Sequence, residues 1–292
     1  MRLRYYFKSI LTRSYWSYAL FRIDSIKTFM AVLGGIWLFV GIFGDIRLID
    51  KNNINYWYLL YFGIFSLLVV IFTRRPLTKI IYNHPGKDLQ IEVKIGNLFE
   101  VPGQKIIGTN TTFDTDFSNN IISPTSLQGQ FTTKYFQTNM AGLDQQIDNQ
   151  LASYTFQTIS KPGKTKEYEL GTTIKFDFPG ERFYLFAMAE MNTQNNVKTS
   201  LKKIHISLEK LWDYIENQGN PTDTVIPLIG SAYGRLNISR KKLIAEVAHS
   251  FILASTLNTF VPKLTIVINP KDVEKFELNL FEVKDLLRHY LP

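Results

Sequence analysis

Two long apolar runs open the chain, and nothing after them is comparable. Thr28–Gly44 (TFMAVLGGIWLFVGIFG) and Asn52–Thr73 (NNINYWYLLYFGIFSLLVVIFT) contain no charged residue. At about 1.5 Å per residue they reach roughly 26 Å and 33 Å as helices, against a hydrocarbon core of ~30 Å. The second spans by itself, and the first does so once Asp45 and Ile46 extend it. The pattern predicts an α-helical two-span transmembrane hairpin over 28–75, closed by the short turn Asp45–Lys51. The competing readings are two buried helices of a soluble domain and a cleaved signal peptide. The apolar run starts too late for the latter, and no small-residue cleavage site follows it.

From Leu89 the periodicity changes. Leu89–Gly96 alternates with period two, and Gln104–Thr109 is a short apolar strand. Gly171–Phe178 and Arg182–Glu190 flank Pro179-Gly180, a hairpin turn. Thr224–Ile229 and Leu264–Asn269 read as buried strands. Between them lie helical patterns at Leu143–Phe156, Val197–Asn217 and Ser239–Ser255, and a shorter one at Lys271–His289. The clearest, Val197–Asn217, places Val197, Leu201, Ile204, Leu208, Leu211 and Ile215 on one stripe. Strands alternating with helices imply an α/β domain over 89–292, three-layered, with a mixed, mostly parallel sheet covered on both faces. Residues 76–88 read as a linker, and 1–27 as a basic, aromatic N-terminal segment.

Composition narrows the chemistry. With 292 residues, 45% hydrophobic and 20% charged, the chain is not disordered. The absence of cysteine excludes disulfides, thiolate catalysis and cysteine–zinc sites. The net charge of +8 is unevenly placed: residues 1–75 hold ten of the 33 Lys and Arg but three of the 25 Asp and Glu. The remainder is nearly neutral, so little counterion release is available to bind nucleic acid, and none is expected as a partner. Basic residues before the first run and after the second put both termini on the cytoplasmic side. The opening MRLRYYFKSILTRSYWSYALF reads either as a segment lying on an anionic leaflet or as a basic tail. Ala31 and Gly35, and Gly34 and Gly41, share faces of the first run and invite close approach by another helix, in the same hairpin or in a second copy.

In α/β folds ligands bind outside the carboxyl ends of strands. Three loops qualify: Gly96-Asn97-Leu98, Gly108 to Asp116, and Gly230-Ser231-Ala232-Tyr233-Gly234-Arg235. Glycines there let backbone N–H groups converge on an anion, and Arg235 is placed to clamp a phosphate or carboxylate. The alternative is a tight turn without a ligand. Neither a P-loop nor a GxGxxG fingerprint is present. His84, His205, His249 and His289 are scattered without metal-ligand spacing, so no metal is expected. Asp114 and Asp116 read either as holding a ribose or cation, or as Asx-turn carboxylates. No nucleophile–base pair stands out, so no catalytic residue is assigned.

The order GNL at Gly96–Leu98, GTNTTFDTD at Gly108–Asp116, SLQGQF at Ser126–Phe131 and PLIGSAYGRL at Pro227–Leu236 resembles a macro domain. With ISPTSLQGQFT, YELGTTIKF and RFYLFAMAEMN, it resembles the divergent macro domain of Thoeris antiphage effectors, from about Leu89 to Leu291. Two spans ahead of that domain resemble the effectors of type II Thoeris systems. The resemblance implies a three-layer α/β/α macro-like domain that senses rather than catalyses. Its ligand would be a small-molecule ADP-ribose derivative, histidine-ADP-ribose in type II systems, made by a partner TIR-domain enzyme that consumes NAD. No resident cofactor is implied. Binding would drive self-association and damage to the lipid bilayer of the bacterial inner membrane, killing the infected cell. By the same resemblance Asn97 and Leu98 stand near the adenine, with Asn97 where the family usually has aspartate. Asn110, with Thr111 and Asp114 beside it, faces the distal ribose. Gln128, Gly129 and Gln130 match the first diphosphate loop, and Gly230 to Arg235 the second, with Tyr233 as a lid. Thr111–Phe113 replace the small residues of hydrolytic macro domains. The rival readings are a membrane-tethered ADP-ribosylhydrolase and a scaffold binding ADP-ribosylated protein.

Overall fold

The computed structural model describes residues 2–45, 56–118, 121–191, 197–229 and 238–291. These form two compact units, Met1–Thr78 with Asn279–Phe281, and Lys79–Leu278 with Glu282–Pro292.

The first unit is helical: α1 (Arg2–Ile10), α2 (Arg13–Phe21), α3 (Ile23–Asp45) and α4 (Tyr56–Thr73). Thr12 caps α2, its Oγ1 accepting from the Tyr15 N–H at 3.3 Å. One face of α2, carrying Tyr15, Tyr18 and Ala19, is buried. The Tyr18 hydroxyl accepts from Arg74 at 2.9 Å, and Arg74 lies 3.8 Å from Asp24. The start of α3 therefore stands beside the end of α4, so the two helices run antiparallel. Helix α3 begins at Ile23, five residues before the apolar run. Its 23 residues reach about 34 Å, enough to cross a bilayer. Its Ile23–Phe43 stretch has a mean hydropathy of 1.9 and buries none of its most apolar window. Among the described residues it is the one helix long and apolar enough to cross a membrane. The apolar part of α4, Trp57–Thr73, is shorter. The expected turn 45–51 and the start of the second run lie almost wholly outside the described residues, and the two-span hairpin is so far matched in one helix.

The second unit is built on β1 (Lys79–Asn83), β2 (Gln90–Ile95), β3 (Gln104–Asn110), β4 (Phe156–Thr158), β5 (Lys166–Tyr168), β6 (Thr173–Phe178), β7 (Glu181–Met191), β8 (Val197–Lys198), β9 (Thr224–Pro227) and β10 (Lys263–Ile268). Its helices are α5 (Leu127–Phe136), α6 (Met140–Leu151), α7 (Leu201–Gln218), α8 (Arg240–Ala254), α9 (Pro270–Lys275) and α10 (Leu280–Tyr290). The main sheet runs β1-β2-β10-β9-β3-β7-β6, with β8 paired to β7. From β2 to β7 every pairing is parallel, and β1, β6 and β8 join antiparallel. This is the mixed sheet expected. Several boundaries differ from the pattern: the helix expected over 143–156 is α6, with Phe156 already in β4, and the stretch 271–289 is the two helices α9 and α10. Residues 79–83, expected in a linker, form edge strand β1, and Val197–Lys198 are a strand because the α7 stripe starts only after the Ser200 cap.

Strand alternation sends side chains to opposite faces. Phe183, Leu185 and Ala187 of β7 join a core with Phe131 and Phe136 of α5 and Leu143, Ile147 and Leu151 of α6. Tyr184, between them, packs its ring on Tyr214 of α7. On that face Trp212 of α7 meets Phe251 of α8, and its indole N–H donates to Ser250 at 3.1 Å. Helices thus cover both faces, giving three layers. Phe131 is fully buried among Phe136, Phe176 and Phe183, with ring centroids 5.0–5.8 Å away. That contact seats α5 on the sheet and fixes where its first turn opens.

Candidate functional site

A cavity of about 360 Å³ opens at the carboxyl ends of the five parallel strands, a size typical of small-molecule sites. Gly96 follows β2, Thr109 and Asn110 end β3, Ala189 and Met191 end β7, Leu228 and Ile229 follow β9, and Asn269 follows β10. The first turn of α5 completes the wall with Ser126, Leu127 and Gln128.

Five of the sequence-predicted residues line this cavity: Asn97, Leu98, Asn110, Gln128 and Gln130. Asn97 caps a single helical turn, Leu98–Glu100, accepting from the Phe99 N–H at 3.2 Å while its amide donates to Glu100 at 3.2 Å. Leu98 is buried beneath it. The Gln130 amide donates to the Thr125 carbonyl at 2.9 Å.

SLQGQF, read as a phosphate loop, is the start of helix α5. Ser126 is its cap, and the Ser126 Oγ accepts the Gly129 N–H at 2.9 Å. Gly129 does not line the cavity, because a Cβ on it would point at the backbone, 2.3 Å from the Ser123 carbonyl and 2.9 Å from Pro124 Cα. The cavity instead faces Leu127 and Gln128, whose N–H groups in the first helical turn have no intrahelical acceptor and carry the positive end of the helix dipole.

Thr111 and Asp114 are turned away from the cavity. The Thr111 hydroxyl donates to Glu167 at 2.8 Å, and its backbone bridges Ala189 and Tyr168 at 3.0 and 2.9 Å. Asp114 is fully buried, its carboxylate bonded to Lys161 Nζ, the Lys164 N–H, Asn110 Nδ2 and Thr112 Oγ1 at 2.6–2.8 Å. It therefore has no oxygen to offer a ribose or a cation. The loop that places it begins where the β3–β7 register shifts between Thr109 and Asn110. It passes through Phe113, a buried residue held at φ 50 with its ring edge-on to Tyr168. Gly230, Ser231, Ala232, Tyr233, Gly234 and Arg235 lie outside the described residues.

Several lining residues were not anticipated. Met188 and Met191 come from the far end of β7, and Asn269 and Lys271 follow β10. The rule that ligands sit past strand ends reaches Asn269 and Met191 as readily as the loops it singled out. The Thr199 hydroxyl is buried beside the cavity with no partner among the described residues, a donor open to a bound molecule. No group of His, Asp and Glu suited to a metal occurs among the described residues. The pairing of His205 with the buried Glu246, at 3.0 Å, joins α7 to α8 and lines no part of the cavity.

Residues 91–269 match the family model described as Thoeris protein ThsA, Macro domain. A relative, Thoeris protein ThsA from Bacillus amyloliquefaciens (strain Y2), is 26% identical over 211 residues, covering 69% of each chain. Among solved structures the chain is similar to the Oceanobacillus iheyensis macrodomain with ADP, at 10% identity and TM-score 0.48, covering 73% of this chain and 97% of that one. The same macrodomain with MES bound gives 11% identity and TM-score 0.47, over 73% and 100%.

Proposed function

The chain belongs to the ThsA macro-domain family of Thoeris antiphage defence, and on that premise we propose that it is a membrane effector switched on by an ADP-ribose derivative. The observation that carries this reading is the cavity itself. It collects strand ends, a helix N-terminus and amide side chains within the family-matched residues, a set of donors suited to a diphosphate flanked by sugars. Histidine-ADP-ribose, made by a TIR-domain partner that consumes NAD, is the candidate ligand, and Gly230 to Arg235 are proposed as its second diphosphate loop. The protein is read as a receptor, without catalysis. Asn110 supports this, because its side-chain amide is engaged by Asp114 and its carbonyl oxygen accepts from the Asp114 N–H at 3.0 Å.

The membrane part is proposed to be a two-span hairpin of α3 and α4 in the bacterial inner membrane, with both termini cytoplasmic. Its antiparallel helices and outward-facing Trp37, Leu38, Phe39, Leu59 and Leu60 support this. Exposed Phe7 of α1, Trp16 of α2 and Leu11 between them, in a segment without an acidic residue, suit the interfacial layer. Ligand binding is proposed to drive self-association and bilayer damage, killing the infected cell. A ligand does this only if it binds the assembled state better; moving a population from 1:99 to 99:1 takes about 5.5 kcal/mol of differential affinity.

Calorimetry on the full chain in detergent, titrated with ADP-ribose and then with histidine-linked ADP-ribose, tests the reading. Tight binding of the conjugate and its recovery intact are expected. Cleavage of the recovered ligand would make the protein an ADP-ribosylhydrolase, and failure to bind either would remove the receptor.

A further inference from the structure

Asp114 connects the cavity wall to a hairpin that does not line it. Strands β4 and β5 pair antiparallel, and none of residues 156–168 lines the cavity. The hairpin nevertheless sends Lys161 inward, its side chain 0% exposed, to meet the Asp114 carboxylate, 1% exposed, at 2.6 Å. The same turn brings the Lys164 N–H to the second carboxylate oxygen at 2.6 Å. It approaches that closely only because residue 163 is glycine: at φ +87 a Cβ there would lie 2.5 Å from Asp114 Oδ1.

The cavity-side bonds of Asp114 go to two lining residues. Asn110 Nδ2 donates to its carboxylate at 2.8 Å, and Gln128 Nε2 donates to its backbone carbonyl at 2.5 Å. Thr112 Oγ1 donates to the same carboxylate at 2.6 Å. An ionised carboxylate only accepts, so it sets the direction of every donor around it. Asn110 must turn its amide nitrogen toward Asp114, and its carbonyl oxygen toward the Asp114 N–H.

We infer that Asp114 and Lys161 are positioning residues of the cavity, fixing the orientation of Asn110 and the placement of Gln128 without touching the ligand. The inference rests on the ADP-ribose reading of the cavity. A stability role alone does not account for the pair, since a buried ion pair replaced as a whole by neutral residues of similar volume is often no less stable. What neutral residues do not supply is an acceptor holding four donors at fixed angles.

The test compares the full chain with the double variant Asp114→Asn/Lys161→Met, by thermal unfolding and by calorimetry with ADP-ribose. The double variant leaves one amide oxygen for the three remaining donors, so it is expected to unfold at a somewhat lower temperature and, while still folded, to bind about tenfold more weakly, the scale of one misdirected hydrogen bond. Equal affinity in the folded variant would overturn the inference. Gly163→Ala disturbs the same carboxylate without changing any charge or any lining residue, and is expected to weaken binding as well. Should the double variant not fold, Gly163→Ala decides, and unaltered affinity in it overturns the inference. If the unaltered chain binds neither ADP-ribose nor its histidine conjugate, the reading of the cavity fails, and this inference with it.

Discussion

At Gly129 the decisive atom is the one that is missing. A methyl group there would press on the Ser123 carbonyl and on Pro124, both backbone and unable to swing aside. Overpacking of this kind costs typically 1–3 kcal/mol, about 2–4 °C per kcal/mol in a domain of this size. It also moves residues 123–127, of which Ser123, Thr125, Ser126 and Leu127 wall the cavity. Gly129→Ala is therefore expected to lower the unfolding temperature and to weaken ADP-ribose binding together, read by thermal scanning and calorimetry. If the alanine variant binds normally while Gly129→Glu does not, the glutamate is filling the cavity and the displacement argument is wrong. Residues whose place is local were the legible ones: Asn97, read from its position just past a strand, and Gln130, read from the family resemblance, both line the cavity. Asp114 was not legible, because Lys161, which defines it, is 47 residues away and carries no local signal.

Elements with a strong period announced themselves. Strands β2, β6 and β7 and helices α7 and α8 follow from alternation or from a helical pattern, and β3, β9 and β10 from short apolar runs, because these central strands are buried on both faces. Helix α5 was hidden because its Gly129 and threonines argue against a helix, and tertiary packing of Phe131 overrides that weak preference. The prediction follows directly: Phe131→Ala should cost about 3–5 kcal/mol and loosen the cavity wall with it, measured as a denaturant midpoint and as ADP-ribose affinity. At the other end of β3, Glu181 ties three elements together, bonded to Lys105 of β3 at 2.9 Å and to Tyr135 of α5. Burial pushes its carboxyl up, but the Tyr135 and Lys105 hydrogen bonds and the two lysine charges, Lys105 and Lys134, outweigh that and hold its pKa below the ordinary value. A depressed carboxyl contributes stability that is fully present above its unfolded pKa, about 4.3, and is lost as pH falls through the lower folded one. The unfolding temperature should accordingly drop below about pH 4.5, and Glu181→Gln should flatten that part of the profile. An unchanged slope in the variant would show that other carboxylates carry the acid loss.

For the molecule as a whole, the proposed function assigns sensing and damage to different units, and this proposed division can be tested from both sides. Removing residues 1–78 keeps β1, and with it the whole sheet, and should leave a unit that binds ADP-ribose but no longer releases dye from vesicles. Persistent release would mean the damage does not pass through the helices. The more discriminating variant leaves both units in place. Gly34 and Gly41 lie seven apart on one face of α3, and a Cβ built on either meets nothing within 4 Å. A side chain at either position therefore starts into open space, and among the described residues neither glycine serves contact between α3 and α4. Small residues that no neighbour in the same chain uses are what close helix approach between copies requires. Gly34→Leu/Gly41→Leu is then expected to fold and to bind ADP-ribose with unaltered affinity, while ligand-dependent cross-linking and dye release both collapse. Because the monomer tolerates the change, such a loss reports a contact with a second copy. If the variant cross-links and releases dye like the unaltered chain, assembly runs along another face and the glycines of α3 have no part in it.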